Sequence, residues 1–239
     1  MLKPDWIAVD WGTSNMRAWA MSASGTVLDE VRSDRGMGSL KPAEFEQALR
    51  DAIAPWDHKG APMIACGMVG AKQGWMEAPY AAVPCAATPE GFTKPDAGDL
   101  DVYIIAGLKQ ADPADVMRGE ETQIAGFLSM NKNWDGVICL PGTHTKWAHI
   151  SADEVVSFQT YMTGDLFAAI SGNTVLKHSV NSDDWDNDAF DGGVADAMAR
   201  PERLAARLFS LRAEGLLNGM QEPDVRSLFL YLRQTSEPK

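Results

Sequence analysis

Two short stretches of the chain share a pattern suited to phosphate chemistry. Ile7-Ala8-Val9-Asp10-Trp11-Gly12-Thr13 and Val137-Ile138-Cys139-Leu140-Pro141-Gly142-Thr143 are each an apolar strand followed by x-Gly-Thr. After each comes a cation, Arg17 or Lys146, and then a Trp-Ala strand, Trp19-Ala20 or Trp147-Ala148. A polar turn and a third strand follow in both copies, so the segment reads as an internal repeat. A strand that ends in Gly-Thr makes a tight turn with exposed amides, and glycine lets an anion approach the backbone closely. The threonine hydroxyl adds a donor. Gly12, Thr13 and Ser14 in the first copy, with Gly142, Thr143 and His144 in the second, are therefore candidate phosphate ligands.

Two such turns facing each other across a cleft would suit a triphosphate tail. Asp10 would face the same cleft and hold Mg²⁺, usually through water. Arg17 and Lys146 would offset phosphate charge. His144 reads equally as a phosphate donor or as a structural residue. Each turn taken alone also reads as a plain hairpin; the repetition, with Asp10 and two cations, favours the phosphate reading. Neither a Walker A pattern nor a Rossmann fingerprint occurs.

The elements that must carry these turns follow from hydrophobic patterning. Trp6 to Asp10 and Met16 to Met21 read as strands, with a third from Thr26 to Leu28, making an antiparallel meander. Pro42 opens a helix whose apolar stripe is Phe45, Ala48, Leu49, Ala52 and Ile53. Met63 to Cys66 and Val102 to Ala106 read as strands, and a helix starts near Gly119. Residues 67–80 mix glycine with Lys72, Gln73, Trp75 and Glu77 and read as a binding loop. The second copy of the repeat follows, and the remainder reads as helical, notably Pro201 to Leu217.

Composition bounds the classes. The 239 residues are 45% hydrophobic and 23% charged, ordinary for a globular chain. No apolar run reaches the roughly 20 residues of a membrane-spanning helix, and the N-terminus lacks signal-peptide features. A cytoplasmic protein is expected. The net charge of −12 argues against nucleic-acid and anionic-membrane partners. Cys66, Cys85 and Cys139 read as buried, reduced thiols without metal-ligand spacing. The acidic run from Asp183 to Asp188 fails as an EF-hand, because Ala189 and Ala195 stand where glycine and glutamate are required. Nothing in the sequence bears on oligomeric state.

Five segments carry a resemblance to a known group. They are residues 9–19, Cys66 to Gly70 with Gln73-Gly74-Trp75 and Glu77 to Tyr80, Asp115 to Gln123, Leu140 to Trp147, and Met162-Thr163-Gly164. In this order the sequence resembles the 2-dehydro-3-deoxygalactonokinase family, within the actin-like ATPase and sugar kinase superfamily. The resemblance implies a two-lobed α/β, ribonuclease H-like fold with mixed sheets. It implies an N-terminal lobe over residues 1–127, a C-terminal lobe over 128–239, and ATP between the hairpins at 10–17 and 141–146. The implied activity is transfer of the ATP γ-phosphate to the 6-hydroxyl of 2-dehydro-3-deoxy-D-galactonate, in galactonate breakdown. The family's glycine-rich Ser-Gly-Leu-Leu-Ile-Gly-like segment is not found after Leu217, so the C-terminal lobe is expected to be truncated or altered.

Given that resemblance, phosphoryl transfer needs positioning and charge neutralisation, and a carboxylate to accept the sugar hydroxyl's proton. Glu120 and Glu121, at the predicted helix start, are candidates for that base or for metal binding. They read equally as acidic residues favoured by the helix macrodipole. Asp165 is a competing base. A sugar acid calls for a cation with amide or indole donors, which Lys72, Gln73, Trp75, Glu77 and Arg118 would supply, Arg118 taking the carboxylate. The alternatives are a phosphohydrolase on the same scaffold and a non-catalytic sugar-acid-binding copy.

Overall fold

Alternation along the strands decides which side chains of the first sheet reach the core. In the computed structural model, which describes residues 1–180 and 185–218, β1 (Trp6–Trp11), β2 (Met16–Met21) and β3 (Val27–Ser33) form the expected antiparallel meander. β4 (Pro62–Gly67) lies parallel to β1, and β8 (Asp101–Ile105) lies parallel to β4. β7 (Phe92–Thr93) closes that edge, giving the order β3-β2-β1-β4-β8-β7. Side chains alternate between faces with a period of two. Ile7, Val9 and Trp11, with Met16, Ala18, Met63, Ala65, Val102 and Ile104, are buried on one face. There α1 (Phe45–Ile53), entered through a 3₁₀ turn at Pro42–Glu44, buries Phe45, Ala48, Leu49 and Ile53. The apolar stripe expected of this helix is the face it buries.

Beyond this sheet, β5 (Tyr80–Ala82), β9 (Gly107–Ala111) and β10 (Ala114–Met117) make a second one, in the order β10-β9-β5. The third has the order β11-β12-β13-β6, from β6 (Cys85–Ala86), β11 (Gly136–Leu140), β12 (Thr145–Ser151) and β13 (Glu154–Tyr161). α2 (Glu120–Met130) begins where the helix near Gly119 was expected. α3 (Thr163–Asn173), α4 (Asn187–Ala199) and α5 (Leu204–Asn218) make up the helical remainder. The class is α/β with mixed sheets, as expected. The chain forms two compact units, residues 1–138 with 147–159, and 139–146 with residues from 160 onward. In the second unit Leu176, Val180 and Leu211 pack with Phe167, Ile170 and Leu208. The altered C-terminal segment expected after Leu217 falls almost wholly outside the described residues, as do Asp183 and Asp184 of the acidic run.

The three cysteines are free, but they are not all buried. Cys66 and Cys85 are half-buried and Cys139 is exposed. Cys139 shares the outward phase of β11 with Val137, which is itself 55% exposed, so an apolar neighbourhood in sequence did not mean burial. No helix among the described residues is long and apolar enough to cross a membrane.

The first Gly-Thr turn is held from behind. Gly12 N–H donates to Asn15 O across the turn at 2.9 Å. The turn's carbonyls are taken by another segment: Met37 N–H donates to Gly12 O at 3.0 Å and Gly38 N–H to Thr13 O at 2.8 Å. That approach requires glycine at 36, where a Cβ would lie 2.2 Å from Ser14 C and 2.4 Å from Thr13 O. Gly126, inside α2, has open space around it. Urea unfolding of the Gly36→Ala protein is therefore expected to show a loss of roughly 2–4 kcal/mol from forced backbone displacement. Gly126→Ala should instead gain about 0.5–1 kcal/mol, from reduced unfolded-state entropy. Equal effects of the two changes would remove the close packing at Gly36.

Candidate functional site

The face of the first sheet opposite the core carries Asp10, Arg17 and Cys66. Asp10 follows Ala8 on the outward phase of β1, and its register partners are Arg17 on β2 and Cys66 on β4. Together with Trp6, Trp19, Ile64 and Ile105 they line a cleft of about 650 Å³, whose polar end is completed by Gly119, Thr122 and Gln123. Arg17 donates to Asp10 Oδ2 at 2.7 Å, and both side chains remain part-exposed. The Arg17 guanidinium also lies over the Trp19 ring, 5.4 Å from its centroid. Burial pushes the Cys66 thiol up to about 12, with the Asp10 and Glu121 charges adding to the effect. Cys66 is thus a neutral thiol in the cleft and not a nucleophile. Thr13 and Ser14 are exposed at the adjoining turn, with Gly12 half-buried.

The start of α2 is built around two carboxylates. Glu121 is fully buried, and both its oxygens accept from Gly119 N–H, at 2.8 and 2.7 Å. Glu120 is half-buried and accepts from Arg118 N–H at 3.1 Å. Burial raises the Glu121 carboxyl to about 7; Glu120 adds to the rise, while its hydrogen bonds and the Arg118 charge oppose it. Gly119, Thr122 and Gln123 line the cleft whereas Glu121 does not, so its perturbed carboxyl lies beside the cleft and not in it.

Arg118 turns inward. It is only 9% exposed, its Nη2 donates to Ala78 O at 2.7 Å, and its guanidinium stacks 4.2 Å from the Tyr80 ring centroid. Its Nη1 is buried without a hydrogen-bond partner, beside Gly70. Arg118 thereby joins the 67–80 loop to the start of α2. The loop itself turns through Met68–Gly70 and folds back through Trp75 N–H to Val69 O and Ala78 N–H to Gly70 O, both 2.9 Å. Trp75 stacks on Phe45 and meets Trp11 edge-on, with centroids 6.1 and 6.2 Å apart, so much of its ring serves core packing. Lys72, Gln73 and Glu77 are exposed on the same loop.

In the second unit the second Gly-Thr turn is held from behind by the start of α3. Asp165 N–H donates to Thr143 O at 3.0 Å, and Thr163 Oγ1 donates to Gly142 O at 3.3 Å. Gly142 N–H donates to Thr145 Oγ1 at 3.3 Å, and Thr145 Oγ1 also shares a hydrogen bond with Thr163 Oγ1. Glycine is required at 164, where a Cβ would sit 2.8 Å from Gly142 O. His144 Nε2 lies 3.2 Å from Asp165 Oδ2. Lys146 is only 4% exposed, and its Nζ donates to His144 O at 3.4 Å.

Two groupings therefore emerge: Asp10 and Arg17 at the first turn, and Gly142, Thr143, His144, Lys146 and Asp165 at the second. The residues missed from sequence are the cleft walls, Trp6, Trp19, Cys66, Thr122 and Gln123, and the supports Tyr80, Thr145 and Thr163. Period-two alternation back from Asp10 through Ala8 would have found Trp6; the others depend on contacts distant in sequence. Among the described residues, no group of three or more His, Cys, Asp or Glu side chains could hold a metal ion. Asp10 stands as a single part-exposed carboxylate. That fits Mg²⁺, which takes one or two carboxylates, several waters and substrate phosphates.

A family model described as 2-keto-3-deoxy-galactonokinase matches residues 10–230. A probable 2-dehydro-3-deoxygalactonokinase of Rhizobium meliloti (strain 1021) is 39% identical over 229 residues, covering 92% of this chain and 74% of that protein. The 2-dehydro-3-deoxygalactonokinase of Escherichia coli (strain K12) is 31% identical over 222 residues, with the same coverage of 92% and 74%. A crystal structure of a Sinorhizobium meliloti protein, provisionally assigned the same activity, superposes with a TM-score of 0.89 at 38% identity, covering 95% of this chain and 78% of that one.

The Glu121 carboxyl has a direct consequence for stability. Its value is about 7 when folded, against 4.5 ordinarily, so the folded state favours its neutral form. Its contribution is fully present below about pH 4.5 and is lost as pH rises through 7, on the order of 3 kcal/mol in total. The stability of the Glu121→Gln protein, measured by urea unfolding from pH 4.5 to 8, should lack this fall relative to the parent. Parallel curves would mean that Glu121 titrates normally.

Proposed function

The chain belongs to the 2-keto-3-deoxy-galactonokinase family, and from that premise we propose that it transfers the γ-phosphate of ATP to the 6-hydroxyl of 2-dehydro-3-deoxy-D-galactonate. It is a sugar-acid kinase, a phosphotransferase with an alcohol acceptor. The observation that carries the nucleotide assignment is the shared construction of the two Gly-Thr turns. In each, the Gly and Thr carbonyls are bound from behind. Thr13 and Ser14 would hold phosphate oxygens at the first turn, and Thr143 and His144 at the second; the Gly12 and Gly142 amides, expected as ligands, are instead engaged within the turns by Asn15 O and Thr145 Oγ1. Arg17 and Lys146 would contribute positive charge nearby.

Asp10 would hold Mg²⁺ through water, and that ion, when bound, neutralises charge on the phosphates. The sugar acid is assigned to the 67–80 loop, with Lys72, Gln73, Trp75 and Glu77 as polar contacts. Arg118 is assigned to its carboxylate, an assignment supported by a buried Nη1 that has no hydrogen-bond partner. The proton of the 6-hydroxyl goes to the Glu120–Glu121 pair. Support comes from Glu120, half-buried at the start of α2 beside the cleft residues Gly119, Thr122 and Gln123; Glu121 is fully buried with both oxygens on Gly119 N–H and does not itself reach the cleft.

ADP formation from Mg·ATP, followed with and without 2-dehydro-3-deoxy-D-galactonate, tests this reading. Sugar-acid-dependent ADP and a phosphorylated sugar acid are expected. Phosphate release without a phosphorylated sugar would make the protein a phosphohydrolase, and sugar-acid binding without turnover a binding copy. Of Glu120→Gln and Glu121→Gln, one should turn over more slowly by a factor of about 10²–10⁴, with little change in KM for the sugar acid. Turnover within about tenfold of the parent in both variants would take the base away from this pair.

A further inference from the structure

The acidic side chain at the start of α3 has two possible roles, and its surroundings choose between them. We propose that Asp165 is a positioning residue for His144, and that His144, so held, is the side-chain phosphate ligand of the second Gly-Thr turn. The inference rests on the nucleotide reading of that turn. Asp165 is anchored to the turn through its own main chain, donating to Thr143 O at 3.0 Å. The two residues before it are anchored too. Thr163 donates to Gly142 O, and Gly164 packs against the same carbonyl so closely that no side chain fits. The Asp165 carboxylate therefore leaves the helix at a fixed point beside the turn, and its Oδ2 lies 3.2 Å from His144 Nε2.

A phosphate oxygen needs a donor, so His144 serves it as the imidazolium: Nε2–H is donated to Asp165, which sets the ring orientation, and Nδ1–H is the donor left to meet the ligand. From the other side, Lys146 donates to the His144 carbonyl, fixing the main chain that carries the ring. Both side chains are 48% exposed, so a soluble anion can reach the ring. A proton acceptor for a sugar hydroxyl needs an oxygen aimed at that hydroxyl. Asp165 instead aims one oxygen at an imidazole on the nucleotide turn.

The two roles separate on substitution. Asparagine at 165 keeps an oxygen that accepts from Nε2–H but is no base. In steady-state kinetics, Asp165→Asn should keep most of the parent's kcat and should raise KM for ATP less than Asp165→Ala does, a partial rescue by the retained acceptor oxygen. His144→Ala should raise KM for ATP about tenfold, the typical weight of one hydrogen bond to a charged group, with kcat little changed. Asp165→Ala should do the same, and the double variant should be no worse than His144→Ala alone. If Asp165→Asn turns over roughly a hundredfold or more slowly than the parent, the proposal is overturned and Asp165 is a base. Additive effects in the double variant would overturn it as well. If the parent shows no sugar-acid-dependent ADP formation, the kinase reading fails separately. The dyad is then tested by calorimetric binding of ADP and of tripolyphosphate, where His144→Ala should weaken the Kd about tenfold and an unchanged Kd overturns the proposal.

Discussion

The carbonyl oxygens of the two Gly-Thr turns are hydrogen-bonded from behind, and the candidate nucleotide chemistry depends on that constraint. A tight turn presents both amides and carbonyls, and carbonyls repel an anion. In the first turn the amides of Met37 and Gly38 take those of Gly12 and Thr13. In the second, the Thr163 hydroxyl and the Asp165 amide take those of Gly142 and Thr143. The bracing segments are unrelated, a 3₁₀ turn in one case and the start of α3 in the other. Each requires a glycine in contact with the turn, Gly36 or Gly164. The same electrostatic problem is solved twice by different local means.

Sheet alternation does the rest of the positioning in the first unit. Val9 and Trp11 are buried against α1 with Phe45, and this fixes the phase of β1. Asp10 must then point to the opposite face, where its register partners Arg17 and Cys66 also point. A one-residue slip would bury Asp10 in the core and expose Trp11, so the packing of α1 is also what places the carboxylate in the cleft.

These relations were legible in the sequence to different depths. The repeat, the Gly-Thr turns, the meander, α1 and the start of α2 follow from local pattern, because strand alternation and helical stripes are local properties. The hairpin of β9 and β10 did not show itself: from Gly107 to Met117 the apolar residues are interrupted by Lys109, Gln110, Asp112, Pro113 and Asp115 and do not alternate cleanly. Arg118 read as a cation for a substrate carboxylate, yet it also lies against Tyr80, 38 residues away, and stacking on that ring is invisible to composition. Trp75 read as a polar-loop indole, although Phe45 and Trp11 engage its ring. His144 and Asp165 were each visible as ionisable residues near a turn. Their pairing across 21 residues depends on how α3 docks.

The charge state of the cleft reconciles its proposed ligand with an acidic chain. A net charge of −12 repels a polyphosphate at long range, and Asp10, Glu121 and Cys66 are three acidic groups near one end of the cleft. None need present a bare negative charge there. Asp10 is paired with Arg17 at 2.7 Å. Burial holds a large share of Glu121 neutral near pH 7, and it holds the Cys66 thiol neutral throughout. The two effects are linked, since the charge that forms on Glu121 pushes the Cys66 thiol further up. At short range, within a Debye length of about 8 Å at physiological salt, a ligand in the cleft therefore meets a nearly neutral floor. Local neutralisation, not overall charge, decides whether an anion can settle in this cleft.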